Sequence, residues 1–191
     1  MKILVLGVDH LNTWVLINYL QNHFSTQFTI VKKQNRIKIL YNKFLKQKYI
    51  ITIGQILFII YAKLFISYKK KYILSLLEKN NLNKVIKIQN SNKIIYEDSD
   101  DLIIKKINQF EHDLIIINGT KILSKKIINS SKSPIINIHC GITPNYRGVH
   151  GGYWALYNLD NTNCGVTIHL VDETIDGGKI LVQKKSKFYK K

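Results

Sequence analysis

Asn137 and His139 stand two residues apart in the apolar run IINIH, residues 135–139. In an extended strand that spacing turns both side chains to one face, so an amide and an imidazole form a compact donor pair. The loop that follows, CGITPNYRGVHGG, is rich in glycine, and the segment VDETIDGG delivers Asp172, Glu173 and Asp176 to the same rim. A carboxylate that orients or charges a histidine, with an amide donor beside it, is equipment for stabilising an oxyanion during acyl-type transfer. As an isolated pair, Asn137 and His139 also read as core polar residues satisfied by backbone groups.

Residues this far apart in the chain converge only if buried strands carry them to one edge. Lys2 to Gly7 is an apolar, β-prone run, and Leu11, Trp14, Val15, Ile17 and Leu20 then recur at helical spacing up to Phe24. Residues 27–31 read as a strand, 68–78 as a helix and 85–88 as a short strand. The acidic residues at 97, 98, 100 and 101 suit a helix N-terminus ahead of Leu102, Ile103, Lys106, Ile107 and Phe110. The run DLIIINGT, residues 113–120, reads as a strand buried on both faces and ended by Asn118-Gly119. A helix over 121–130, the strand 135–139, a loop over 141–152, a helix over 153–158 and strands at 165–171 and 180–183 complete the pattern. Strands alternating with helices predict an α/β protein: a mainly parallel, Rossmann-like sheet with helices on both faces, in a single domain. In such a sheet, sites gather beyond the carboxyl ends of the strands.

The 191 residues hold 29 Lys or Arg against 12 Asp or Glu, a formal charge of +17, and are 46% hydrophobic. With two prolines and ten glycines the chain is neither disordered nor fibrous. Only Arg36 and Arg147 are arginines, so the charge reads as a lysine-rich solvated surface, and nucleic acid is not expected as a partner. Cys140 and Cys164 are too few for a disulfide framework or a structural zinc site, which fits a reducing, cytoplasmic compartment. His139, His150 and His169 have no carboxylate or Cys spacing that makes a metal site. Cys140 has no motif that asks for a nucleophilic thiol. The N-terminus reads as a strand and not as a signal peptide. The apolar stretch YIITIGQILFIIYA, residues 49–62, falls short of the ~20 residues of a membrane-spanning helix. It is expected to be a buried helix, or strand plus helix, and to offer a surface for a homodimer. Membrane-surface contact is the lesser alternative for this stretch, and no membrane partner is expected.

Four elements occur in order: Asn137-Ile138-His139, Gly141-Ile142-Thr143-Pro144, Tyr146-Arg147-Gly148 and Asp176-Gly177-Gly178, with Asp176 37 positions after His139. Residues 113–183, which hold them, resemble the formyltransferase family that uses 10-formyltetrahydrofolate. The resemblance implies formyl transfer from N10 of the folate to an amine, without a metal. It implies catalytic roles for Asn137, which donates to the carbonyl oxygen, for His139 as oxyanion stabiliser and general acid, and for Asp176, which holds His139 charged and orders a proton-carrying water. Gly141, Ile142, Thr143 and Pro144 match the stretch that approaches the folate, although a structural turn explains the Gly and Pro equally well. Asp172 would recognise the pterin, or serve as a plain turn acid. Tyr146 and Arg147 are candidate substrate contacts.

Family members that act on glycinamide ribonucleotide share a Gly/Ser-rich phosphate loop after the first strand, whereas this chain has GVDHLNT at 7–13. Members that act on methionyl-tRNA carry a further β-rich domain, whereas this chain runs out in KKSKFYKK. The expectation is therefore one catalytic domain over 1–191, either a fragment cut short at its C-terminal end or a reduced form, with a small-molecule amine as acceptor, an amino sugar on a nucleotide. Glycinamide ribonucleotide, methionyl-tRNA and hydrolysis of formyl-folate are the alternatives within the family. A noncatalytic basic binding protein, using Lys69, Lys70 and Lys71 on an anionic partner, is the alternative outside it.

Overall fold

A computed structural model of the chain describes residues 1–32, 49–79, 92–95 and 99–186. The expected strand at 85–88 and the acids at 97 and 98 lie outside the described residues. Seven strands form one sheet: β1 (Lys2–Gly7), β2 (Ser25–Lys32), β3 (Asn92–Ile95), β4 (Leu114–Asn118), β5 (Ile135–His139), β6 (Gly165–Leu170) and β7 (Ile180–Lys185). Their order across the sheet is β3-β2-β1-β4-β5-β6-β7. The pairings from β3 through β5 are parallel, and β6 and β7 add antiparallel pairings at one side. The helices are α1 (Leu11–Gln21), α2 (Tyr49–Lys79), α3 (Asp100–Ile107), α4 (Lys125–Ser130) and α5 (Gly151–Tyr157), with a 3-10 turn at Asn161–Asn163. Contacts group Met1–Lys32 with Gln89–Lys191 in one compact unit and Lys33–Ile88 in a second.

Burial explains why the central strands are apolar on both faces. Leu4 and Leu6 of β1, with Ile115 and Ile117 of β4, pack into one cluster with Ile103 and Ile107 of α3 and Ile127 of α4. The alternate residues Ile3, Val5 and Ile116 point the other way and are buried too, as are Trp14, Ile17 and Leu20 of α1. Right-handed crossovers demand this division. The chain leaves β1 toward β2 in one direction and returns from β3 to β4 in the other, which sends α1 and the pair α3 and α4 to opposite faces. Two helices are capped by serines: Ser99 Oγ accepts from the Leu102 N–H at the start of α3, and Ser124 Oγ from the Ile127 N–H at the start of α4. The Ser124 hydroxyl also donates to Asp100 Oδ2 at 2.6 Å, which ties the two helix starts together.

The expectation of a buried segment at 49–62 is corrected. These residues continue without a break into the expected helix at 68–78 as α2, 31 residues long. The side chains of Ile53, Ile56, Leu57, Phe58, Ile60 and Tyr61 are exposed. An apolar helix is buried only where another element covers it, and within its own unit α2 is the one described element. No described helix is long and apolar enough to cross a membrane.

Candidate active site

The parallel strands β1, β4 and β5 end at one edge of the sheet, and β5 finishes there with Asn137 and His139. Antiparallel pairing sets His169 of β6 directly opposite Asn137 and Thr167 opposite His139. Directly opposed side chains share a face at close range, so the strand period that joins Asn137 to His139 also recruits His169. After β6 the chain turns through Asp172 to Gly178, and Asp176 adopts a positive φ of 47° in that turn. Asp and Asn tolerate this left-handed region better than most residues because their short polar side chains bond locally.

The Asp176 carboxylate is the hub. Its Oδ2 accepts from the backbone N–H of Gly148 at 2.8 Å and lies 3.4 Å from His139 Nδ1. Its Oδ1 accepts from Asn137 Nδ2 at 3.0 Å and lies 3.4 Å from His169 Nε2. The His139, His169 and Asp176 side chains are 7%, 3% and 14% exposed, so these contacts act with little screening by water.

The hydrogen-bond partners fix where the protons sit. His139 Nε2 is 2.6 Å from the Tyr146 carbonyl oxygen, which can only accept, so Nε2 carries a hydrogen. Its other nitrogen faces the Asp176 carboxylate, also an acceptor. His169 Nδ1 donates to the Leu170 carbonyl at 2.8 Å, which in the neutral ring leaves Nε2 to accept from Asn137 Nδ2 at 3.2 Å. The Asn137 amide nitrogen thus lies against both Asp176 and His169.

Two glycines let backbone approach the His139 ring. A Cβ on Gly141 would meet the Tyr146 oxygen at 2.6 Å and His139 Nε2 at 2.8 Å, and one on Gly151 would meet them at 2.5 and 3.1 Å. Gly141→Ala is expected to lower stability by about 1–3 kcal/mol, the usual cost of overpacking. Urea unfolding checks this, and a moved His139 ring resonance in NMR would locate the strain.

The other expected site residues divide into two groups. Gly141, Ile142 and Thr143 are buried, and their backbone is held internally: the Gly141 carbonyl accepts from Thr167 Oγ1 at 2.7 Å, the Thr143 N–H donates to the same oxygen, and the Thr143 carbonyl accepts from Gln183 Nε2 at 2.7 Å. Pro144 is exposed. The buried Thr143 Oγ1 has no partner among the described residues. Asp172 Oδ1 accepts from the Thr174 hydroxyl at 2.6 Å and the Thr174 N–H at 2.8 Å, and these two bonds hold its carboxyl below the usual carboxylate range. The bracing of this turn is therefore present above the ordinary carboxylate value and lost as pH falls through the depressed one. Arg147 is exposed and adds charge that favours ionised Asp172.

Tyr146 gives His139 its backbone carbonyl, while its hydroxyl donates to Asp160 Oδ2 at 3.1 Å. Asp160 is held ionised mainly by Asn163 and Thr162. Glu173 leaves the cluster and pairs at the surface with Lys125 at 2.7 Å. Cys140 and His150 are exposed, and among the described residues no group of three or more His, Cys, Asp or Glu is placed to hold a metal ion. Residue types and motifs did not single out His169 or the Gly148 N–H as members of this cluster. Alternation in GVTIHL, which puts Thr167 and His169 on one face, is the signal for the histidine.

A family model described as "Formyl transferase" matches residues 62–190. Over 87 residues, 45% of this chain, the sequence is 39% identical to the methionyl-tRNA formyltransferase of Thermodesulfovibrio yellowstonii, of which the match covers 28%. The chain spans less than half the length of the curated relatives it matches. Among solved structures, the fold is similar to phosphoribosylglycinamide formyltransferase from Bacillus halodurans, with a TM-score of 0.62 at 13% identity, covering 99% of this chain and 81% of that one. It is also similar to a sugar N-formyltransferase from Shewanella sp. FDAARGOS_354, with a TM-score of 0.54 at 18% identity, covering 99% of this chain and 58% of that one.

Proposed function

This chain belongs to the formyl transferase family, and from that membership we propose that it moves a formyl group from 10-formyltetrahydrofolate to the amine of an amino sugar carried on a nucleotide. The observation that carries the reading is the convergence of Asn137, His139 and Asp176 at the carboxyl end of β5. In the proposed reaction the acceptor nitrogen forms a bond to the formyl carbon, the bond from that carbon to N10 breaks, and a proton passes from the acceptor nitrogen to N10. Charge collects on the formyl oxygen as the new bond forms. His139 and Asn137 supply hydrogens to that oxygen, and Asp176 accepts and returns the proton through an ordered water.

In this arrangement those hydrogens face Asp176, His169 and the Tyr146 carbonyl. The formyl oxygen must therefore displace one of these acceptors. The folate is assigned to the surface around Thr143, Pro144 and Asp172. The Thr143 hydroxyl, which has no partner among the described residues, supports this, because a buried donor gains by meeting a polar edge.

The loop after β1 weighs against glycinamide ribonucleotide as the acceptor. Val8, Asp9 and His10 follow Gly7 there, and Asp9 Oδ1 accepts from Trp14 Nε1 at 2.9 Å. A carboxylate at that point opposes a phosphate, in contrast to a loop of successive glycine amides. The whole of 1–191 acting as one catalytic domain is part of the proposal. The test is tetrahydrofolate release from 10-formyltetrahydrofolate in the presence of nucleotide-linked amino sugars, glycinamide ribonucleotide or methionyl-tRNA. Release that depends on the amino sugar is expected. Release with another acceptor would replace the acceptor assignment, and release with none would turn the reaction into hydrolysis.

A further inference from the structure

Helix α2 has a composition that the proposed chemistry does not use. From residue 49 to residue 66 it contains one charged residue, Lys63, and Lys69, Lys70 and Lys71 follow within the same helix. A helix of 31 residues extends for about 46 Å. Its described apolar side chains are exposed on successive turns: Leu57 is 61%, Phe58 68%, Tyr61 63% and Leu64 68% exposed. Soluble proteins rarely leave so contiguous an apolar surface in water, and where they do it marks a contact.

The surrounding charge identifies the contact. Within residues 33–88 Glu78 is the single acid, set against thirteen Lys or Arg, so this one segment carries most of the excess positive charge of the chain. Two copies of so basic a segment repel each other. Anionic lipid headgroups attract it, and the apolar side chains then enter the headgroup and acyl boundary beside them. Tyr49, Tyr61, Tyr68 and Tyr72 supply along the helix the residue type that favours the membrane–water interface. We propose that α2 is a membrane-surface helix that docks this protein on an anionic bilayer, lying along the interface without crossing it. This inference does not depend on the acceptor or on formyl transfer.

The test is cosedimentation of the full chain with vesicles of phosphatidylcholine alone or mixed with phosphatidylglycerol, at low and high salt. At least tenfold tighter binding to the anionic vesicles is expected, weakened by salt and lost in a Leu57→Glu, Phe58→Glu double variant. In parallel, Phe58→Trp is expected to shift its emission to the blue on anionic vesicles and to be quenched by brominated lipid. This reads insertion directly, even if the double variant fails to fold. Binding that ignores lipid charge, or no binding together with an unshifted Phe58→Trp emission, would overturn the proposal. So would a stable dimer in light scattering that the double variant dissociates and that leaves no vesicle binding.

Discussion

Replacing His139 with Ala is expected to lower kcat/KM for formyl transfer by about a thousandfold or more, the scale set by losing a preorganised donor together with an acid–base group. His139 is the group in the cluster that sets a ring nitrogen against each of two acceptors, Asp176 at one and the Tyr146 carbonyl at the other. Ala removes both nitrogens and leaves those acceptors without their partner, so stability should fall as well, by about 1–3 kcal/mol. His139→Gln separates the two effects. An amide in that place restores a donor but neither the positive charge nor the transferable proton. The Gln variant is therefore expected to regain most of the stability in urea unfolding while remaining as slow as Ala in initial-rate assays. Recovery of turnover along with stability would mean that His139 is structural.

The second large effect is expected at Asp176, where Asn should reduce kcat about a hundredfold or more and leave the fold intact. The substitution suits the backbone, because Asn accepts the positive φ of this turn as readily as Asp. An amide oxygen still accepts from the Gly148 N–H, as Asp176 Oδ2 now does. The amide nitrogen then faces Asn137 Nδ2 and His169 Nε2, replacing an attraction for the Asn137 hydrogens by donor against donor. The loss should appear in kcat more than in KM, because it removes charge stabilisation made in the transition state. Combined with His139→Ala it should add little, since the two groups act as one unit. Steady-state kinetics of both single variants and the double variant tests this. Fully multiplicative losses would show that they work independently.

How much of this could be read from the residues depends on where period and chemistry coincide. Strand β5 was legible because IINIH is bounded by Pro134 and glycine and carries its two polar residues on one face. Strand β4 was legible because a run of isoleucines between Asp113 and Asn118-Gly119 has few other uses. Asp176 was singled out by a motif, and it lies beside Asn137 and His139. His169 escaped because an apolar strand with one histidine gives no sign of its partner until the β5–β6 register sets it opposite Asn137. Glu173 misled in the opposite direction: a carboxylate in the turn looked like part of the rim, but one residue of rotation turns it to Lys125 at the surface. Strand β3 begins with Asn and Lys and takes its place only by pairing with β2, which no local pattern announces. The stretch 49–62 misled because apolar content measures the tendency to leave water and does not say whether the cover comes from the same chain.

The measurement that bears most directly on the central claim uses 10-formyltetrahydrofolate labelled isotopically in its formyl group, a nucleotide-linked amino sugar, and mass spectrometry of the products. The account predicts that the label appears on the acceptor amine with the protein as it stands and stays on the folate with His139→Ala. Label released as formate, or label reaching the acceptor equally with His139→Ala, would contradict it.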